Sequence, residues 1–171
     1  LRNSLPAPWD QNGLPVDQAR GLIIWQGAQL QLQEVVLTSG PASVQGDVTW
    51  ESDQKHWTVA ARFAQLNPAL LHSKMAAGSI QGTASVDSGA DKTVFDIQAQ
   101  AQKITDAQLA KLDLRTLDAQ GSWQAGTLDI PKLHITTADA QLEGKLSFAQ
   151  AEQSGSANIT LQAPGLRGSL E

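Results

Sequence analysis

Residues 25–50 read WQGAQLQLQEVVLTSGPASVQGDVTW, and residues 123–148 read WQAGTLDIPKLHITTADAQLEGKLSF, the same pattern displaced by 98 positions. Trp25-Gln26 falls on Trp123-Gln124, Leu30 on Leu128, Leu32 on Ile130, Val35 on Leu133, Gly46 on Gly144 and Trp50 on Phe148, with no gap. A repeat built from short alternating segments marks a stacked β architecture, because one copy cannot bury its apolar face alone. Function in such a chain belongs to a continuous surface, not to one constellation of reactive residues.

Working outward, the period is two from residue 21 onward. Leu30 and Leu32 alternate with glutamines, and Ala42, Val44, Gly46, Val48 and Trp50 alternate with Ser43, Gln45, Asp47 and Thr49. Trp57, Val59, Ala61 and Phe63 follow, then Ile80 to Val86, Phe95 to Ala101, and the second copy through Ile159 and Leu161. One apolar and one polar face on closely spaced strands predicts antiparallel sheet. The phase slips at Gln33-Glu34 and again at Pro131-Lys132. A one-residue shift turns side chains to the other face, so the repeated slip predicts a repeated bulge or strand break. Residues 1–20, with Pro6, Pro8, Gly13 and Pro15, read as an irregular lead-in. Asn67-Pro68 predicts a helix that ends at Gly78, and Thr105–Ala110 a shorter one. Copy two lacks the first helix: Gly165-Leu166-Arg167-Gly168 resembles Gly78–Gly82 with the helix removed.

Composition excludes several functions. A net charge of -5 leaves no basic stripe for nucleic acid or for an anionic membrane surface. The absence of cysteine removes disulfides, thiolate nucleophiles and Cys-based metal sites. No apolar run approaches the roughly 20 residues of a membrane-spanning helix. The chain reads as an excerpt from a longer polypeptide, with any anchor or export signal outside it.

Reactive motifs are missing as well. His56, His72 and His134 lie in three separate segments, expected to be surface or strand-end positions without carboxylates around them. Asp87, Asp91 and Asp96 lack the ligand spacing of a calcium loop. A carbohydrate-active enzyme needs paired carboxylates on one face, and Asp47, Asp96 and Asp129 are expected on separate outward faces. No catalytic residue, metal site or cofactor is expected, and the chain is read as a non-enzyme. The tryptophans are expected in core or groove packing.

A sheet with one apolar face must be covered, close on itself, or leave that face for a ligand. The predicted helices are too few to cover it. Interspersed small residues (Ala42, Ala61, Ala84, Ala99, Ala119, Ala140) and Gly46, Gly82, Gly121 and Gly144 favour strong curvature. The expected fold is all-β: a sandwich, a barrel or an antiparallel sheet curled into an open trough. In a trough the expected lining for lipid or an apolar client is Leu30, Leu32, Val44, Val48, Trp50, Trp57, Val59, Phe63, Ile97, Leu128, Ile130, Leu142, Leu146, Phe148, Ile159 and Leu161; in a closed fold the same residues are ordinary core.

The cadence Phe63-Ala64-Gln65-Leu66-Asn67-Pro68-Ala69-Leu70-Leu71, then Gly78-Ser79-Ile80-Gln81-Gly82, resembles the TamB family. So do Leu109-Ala110-Lys111-Leu112-Asp113-Leu114 and Gly121-Ser122-Trp123-Gln124-Ala125-Gly126-Thr127-Leu128. These are inner-membrane components of translocation and assembly modules in Gram-negative bacteria, related to AsmA-like and bridge-like lipid transfer proteins. The similarity covers most of residues 22–170. It implies a β-taco over residues 21–171, with copies at 21–66 and 119–164, in the periplasmic part of an inner-membrane-anchored protein. It also implies a section of a conduit that moves phospholipid between the membranes or assists outer-membrane protein and autotransporter assembly. Implied partners are phospholipid acyl chains or unfolded outer-membrane strands, with a TamA-type outer-membrane protein bound by another part of the full chain. The alternatives are β-augmentation of unfolded outer-membrane strands and a structural repeat with a closed core.

Overall fold

The computed structural model describes residues 2–75, 77–104, 113–164 and 166–170. Eleven strands form one antiparallel sheet in which each pairs only with its neighbours in sequence. They are β1 Gln18–Gln26, β2 Gln29–Ser39, β3 Ala42–Glu51, β4 His56–Leu66, β5 Gly78–Ser88, β6 Lys92–Ile104, β7 Leu114–Gln124, β8 Thr127–Thr137, β9 Gln141–Ala149, β10 Ser154–Ala163 and β11 Leu166–Leu170. β1 and β11 are edges, so the sheet is open.

The 98-residue displacement holds at the level of strands. β2 maps on β8 end to end, and β3 and β4 map on β9 and β10 within a residue or so. The backbone bond from Ser52 N–H to Ala28 O recurs as Gln150 N–H to Gly126 O, both at 2.9 Å. The phase slip is a bulge in both copies: β2 shifts register against β3 between Leu32 and Val35, and β8 against β9 between Ile130 and Leu133. Leu161 pairs with Gly168 as Phe63 pairs with Gly82, so β11 takes the place that β5 holds in copy one.

Two local expectations need correction. β1 starts at Gln18, inside the stretch read as lead-in, because Gln18 and Ala19 pair with Thr38 and Leu37. The lead-in also holds a 3-10 turn at Trp9–Gln11 and a bridge from Arg2 to Gln18. The helix after Asn67, α1, is only Pro68–Leu71. Asn67 caps it as expected, with Oδ1 accepting from Ala69 N–H at 3.2 Å. The same oxygen accepts from Gly78 N–H at 3.1 Å, which ties the two ends of the connection together and leaves no length for further turns. The helix read at Thr105–Ala110 lies outside the described residues.

The sheet has almost no conventional core. The buried apolar side chains among the described residues include only Ala42, Phe63 and Ala119 on the sheet. Among the described residues no second sheet covers it.

Candidate functional site

Residues paired across antiparallel strands share a face, and that face alternates along each strand. Following the register therefore assigns every described strand residue to a side. Four rows run across the strands on the apolar side. The first joins Trp25, Leu30, Trp50, Trp57, Ser88, Thr93, Trp123, Leu128 and Phe148. Next to it lie Ile23, Leu32, Val48, Val59, Val86 and Phe95, and beyond Gly121, Ile130 and Leu146. The third, midway along the strands, joins Val35, Gly46, Ala61, Ala84, Ile97, Ala119, Leu133, Gly144 and Ile159. The fourth joins Leu37, Val44, Phe63, Gly82, Ala99, Leu117, Ile135, Leu142 and Leu161. Every residue expected in the lining falls in one of these rows. None of the residues in the four rows is charged.

Curvature follows from the middle rows. A Cβ added at Gly46 would collide with the Ala60 carbonyl, at Gly82 with that of Gln98, at Gly121 with that of Asp129 and at Gly144 with that of Asn158. At each place the backbone of the following strand crosses the space on the apolar side that a side chain would fill, so glycine there permits strong curling and coiling of the sheet. Exposure agrees: neighbouring Ala60 and Ala61 point to opposite faces, and the first is exposed while the second is half-buried. Ala119 is only 8 % exposed although, among the described residues, no second sheet lies above it. The apolar side is a trough whose floor is lined by small residues.

The two lips of this trough differ. The first row, beside the β1–β2, β3–β4, β7–β8 and β9–β10 turns, carries Trp25, Trp50, Trp57, Trp123 and Phe148, exposed from 37 % (Trp57) to 72 % (Trp25). At the other end of the strands, Ala42 and Phe63 are 3 % and 8 % exposed. There the lead-in is tied to the sheet by Asp17 Oδ2 accepting from Gly40 N–H at 2.7 Å. Asp10 also accepts from Ser73, just beyond α1, holding the lead-in at this end. In the first row Ser88 Oγ and Thr93 Oγ1 bond to each other at 2.7 Å, and Trp25 Nε1 donates to Gly27 O at 2.8 Å.

Sequence reasoning left Val35, Leu37, Leu133 and Ile135 out of the lining, although the bulge restores them to the apolar side. It also missed the aromatic row, since cross-strand alignment depends on turn lengths that the alternation does not reveal.

Two expectations about the polar residues need correction. Asp47, Asp96 and Asp129 all lie on this one face, and Asp47 and Asp96 line the same open hollow of about 700 Å³, beside Arg62, Gln45, Thr83 and Gln98. Both carboxylates accept structural hydrogen bonds, Asp47 from Glu34 N–H at 2.9 Å and Asp96 from Gln120 Nε2 at 2.7 Å. Each histidine faces a carboxylate: His56 with Asp87 at 2.9 Å, His72 with Asp10 at 3.8 Å and His134 with Glu143 at 3.2 Å. The register explains the two contacts on the sheet, because His134 pairs directly with Glu143 and His56 lies on the strand beside that of Asp87. Among the described residues no group of three or more His, Cys, Asp or Glu is placed to hold a metal ion. Nor is any helix among them long and apolar enough to cross a membrane. No protein-family model, curated protein or solved structure matches this chain.

Proposed function

We propose that this chain is a section of a periplasm-spanning apolar conduit that carries phospholipid between inner and outer membranes, as its resemblance to the TamB family implies. The observation that carries the reading is an uncharged face, continuous across β1–β10, bent toward its own side chains and left uncovered. At about 4.8 Å per strand, eleven strands give a trough about 50 Å long, more than twice an extended acyl chain. Removing each CH₂ from water is worth about 0.8 kcal/mol, so shielding a ~16-carbon chain supplies on the order of 10 kcal/mol. A wall without charges or convergent polar groups holds a guest without fixing it, and transport along the wall needs that evenness. Attachment to a TamA-type outer-membrane protein belongs in this reading to another part of the full chain.

Mass spectrometry of organic extracts from the purified protein is the test. Phospholipid is expected in the extract, and Val48→Arg or Leu146→Arg is expected to lower it by about tenfold or more by placing an unpaired charge in the trough. The far-UV circular dichroism of both variants should stay that of a sheet. Wild-type extracts free of lipid, together with no uptake of added phospholipid, would refute the proposal.

A second reading, β-augmentation, draws on β1. This edge strand exposes Leu22, Ile23 and Trp25, and its repeat equivalent β7 is paired on the corresponding side by β6. An unfolded strand with the alternation of β6 fits that edge. Proline scanned through Leu22, Ile23 and Ile24 would block such pairing while Val48→Arg would not, which separates the two readings.

A further inference from the structure

The aromatic row occupies only one lip of the trough, and its exposed rings sit where an uncharged wall meets water. Among the described residues, nothing accepts from the indole N–H of Trp50, Trp57 or Trp123. Each of these rings therefore offers an apolar body to the trough and a free donor at its rim. Indoles with this dual character settle at boundaries between hydrocarbon and water. We infer that this lip is the side over which a glycerophospholipid enters, and that its glycerol–ester region rests there with the acyl chains reaching the floor at Ala84 and Ala119. The inference rests on the conduit reading and adds a side and a depth to it.

Complementarity selects this guest. The ester region offers acceptors without donors and carries no net charge; the lip offers three free indole donors and no charged side chain, and its Ser88 and Thr93 hydroxyls are bonded to each other. The phosphate then stays in water beyond the rings. The opposite lip has no such row: Ala42 and Ala101 stand at that end, where the lead-in and α1 also gather. A protein strand as guest would present donors and acceptors alternately and has no reason to prefer one lip.

The test uses phosphatidylcholine carrying a nitroxide at carbon 5 or carbon 16 of one acyl chain. The protein carries Trp9→Phe and Trp25→Phe, leaving Trp50, Trp57 and Trp123 as lip reporters, and Ala84→Cys labelled with bimane as floor reporter. Circular dichroism checks that the protein is folded. The carbon-5 label is expected to quench the lip tryptophans at least about twofold more than the carbon-16 label, with the order reversed at Ala84. Equal or stronger quenching of the lip by the carbon-16 label, with Ala84 still quenched, overturns the inference and leaves the conduit reading standing. No quenching at either position removes the conduit reading and the inference with it.

Discussion

At the scale of single residues, the two kinds of glycine in this sheet have different physical reasons. Gly82 has no room for a side chain, because a Cβ would meet the Gln98 carbonyl of the next strand. Gly82→Val is therefore expected to destabilise the protein by about 2 kcal/mol or more, seen as a lower denaturant midpoint, since the sheet must flatten to accept it. Gly27 has open space around it and a φ of 58°. Its counterpart in copy two is Ala125, which adopts a φ of 48°. Gly27→Ala is accordingly expected to cost only about 1 kcal/mol in the same measurement. Asp10 supplies a pH-dependent contact. Hydrogen bonds from the Ser73 hydroxyl and then the Ser73 N–H, helped by His72, hold its carboxyl below the ordinary carboxylate range. A depressed carboxylate contributes its stabilisation above the ordinary range and loses it as pH falls through the lowered value. The protection factor of the Ser73 amide is thus expected to hold at neutral pH and to fall only once pH drops below the ordinary aspartate value of 3.8. Asp10→Ala should abolish that protection at every pH.

At the scale of elements, the bulges show what alternation can reveal. A phase slip recurring 98 residues later was readable as a bulge, since chance does not place the same fault twice at one repeat position. What satisfies the bulge was not readable. In copy one the Glu34 N–H is taken by Asp47 on the adjacent strand. Copy two has Lys132 and Lys145 at those positions and Pro131 just before them; its register shift recurs without the positive φ that Glu34 adopts (52°). Asp47→Ala is expected to lower stability by about 1 kcal/mol, with faster amide exchange at Glu34 and no change around Lys132. That the lining residues share one side of the sheet was legible because alternation assigns a side to each one without knowledge of its neighbours. The alignment of Trp25, Trp50, Trp57, Trp123 and Phe148 was not, because it depends on how many residues each turn spends. The faces of Asp47, Asp96 and Asp129 were misread for the same reason. The length of α1 was overread because Asn67, seen only as a cap, also binds the far end of its loop at Gly78.

At the scale of the molecule, burial within a layer replaces burial between layers. An ordinary domain of this size covers its apolar face with a second sheet or with helices. Here the glycine and alanine rows let the sheet bend over itself, so side chains such as Ile97 and Leu133 are half-buried by their own neighbours. The apolar side remains open to a guest, and the polar side presents charged and amide groups to water. The absence of cysteine allows a direct comparison of the two faces. Ala84→Cys and Ser85→Cys place one thiol each on adjacent residues that point to opposite sides of β5. With an environment-sensitive fluorophore on each, added phospholipid is predicted to shift the emission of the Ala84 label to the blue and to leave the Ser85 label unchanged. Equal responses from the two labels, or none from Ala84, would contradict the account.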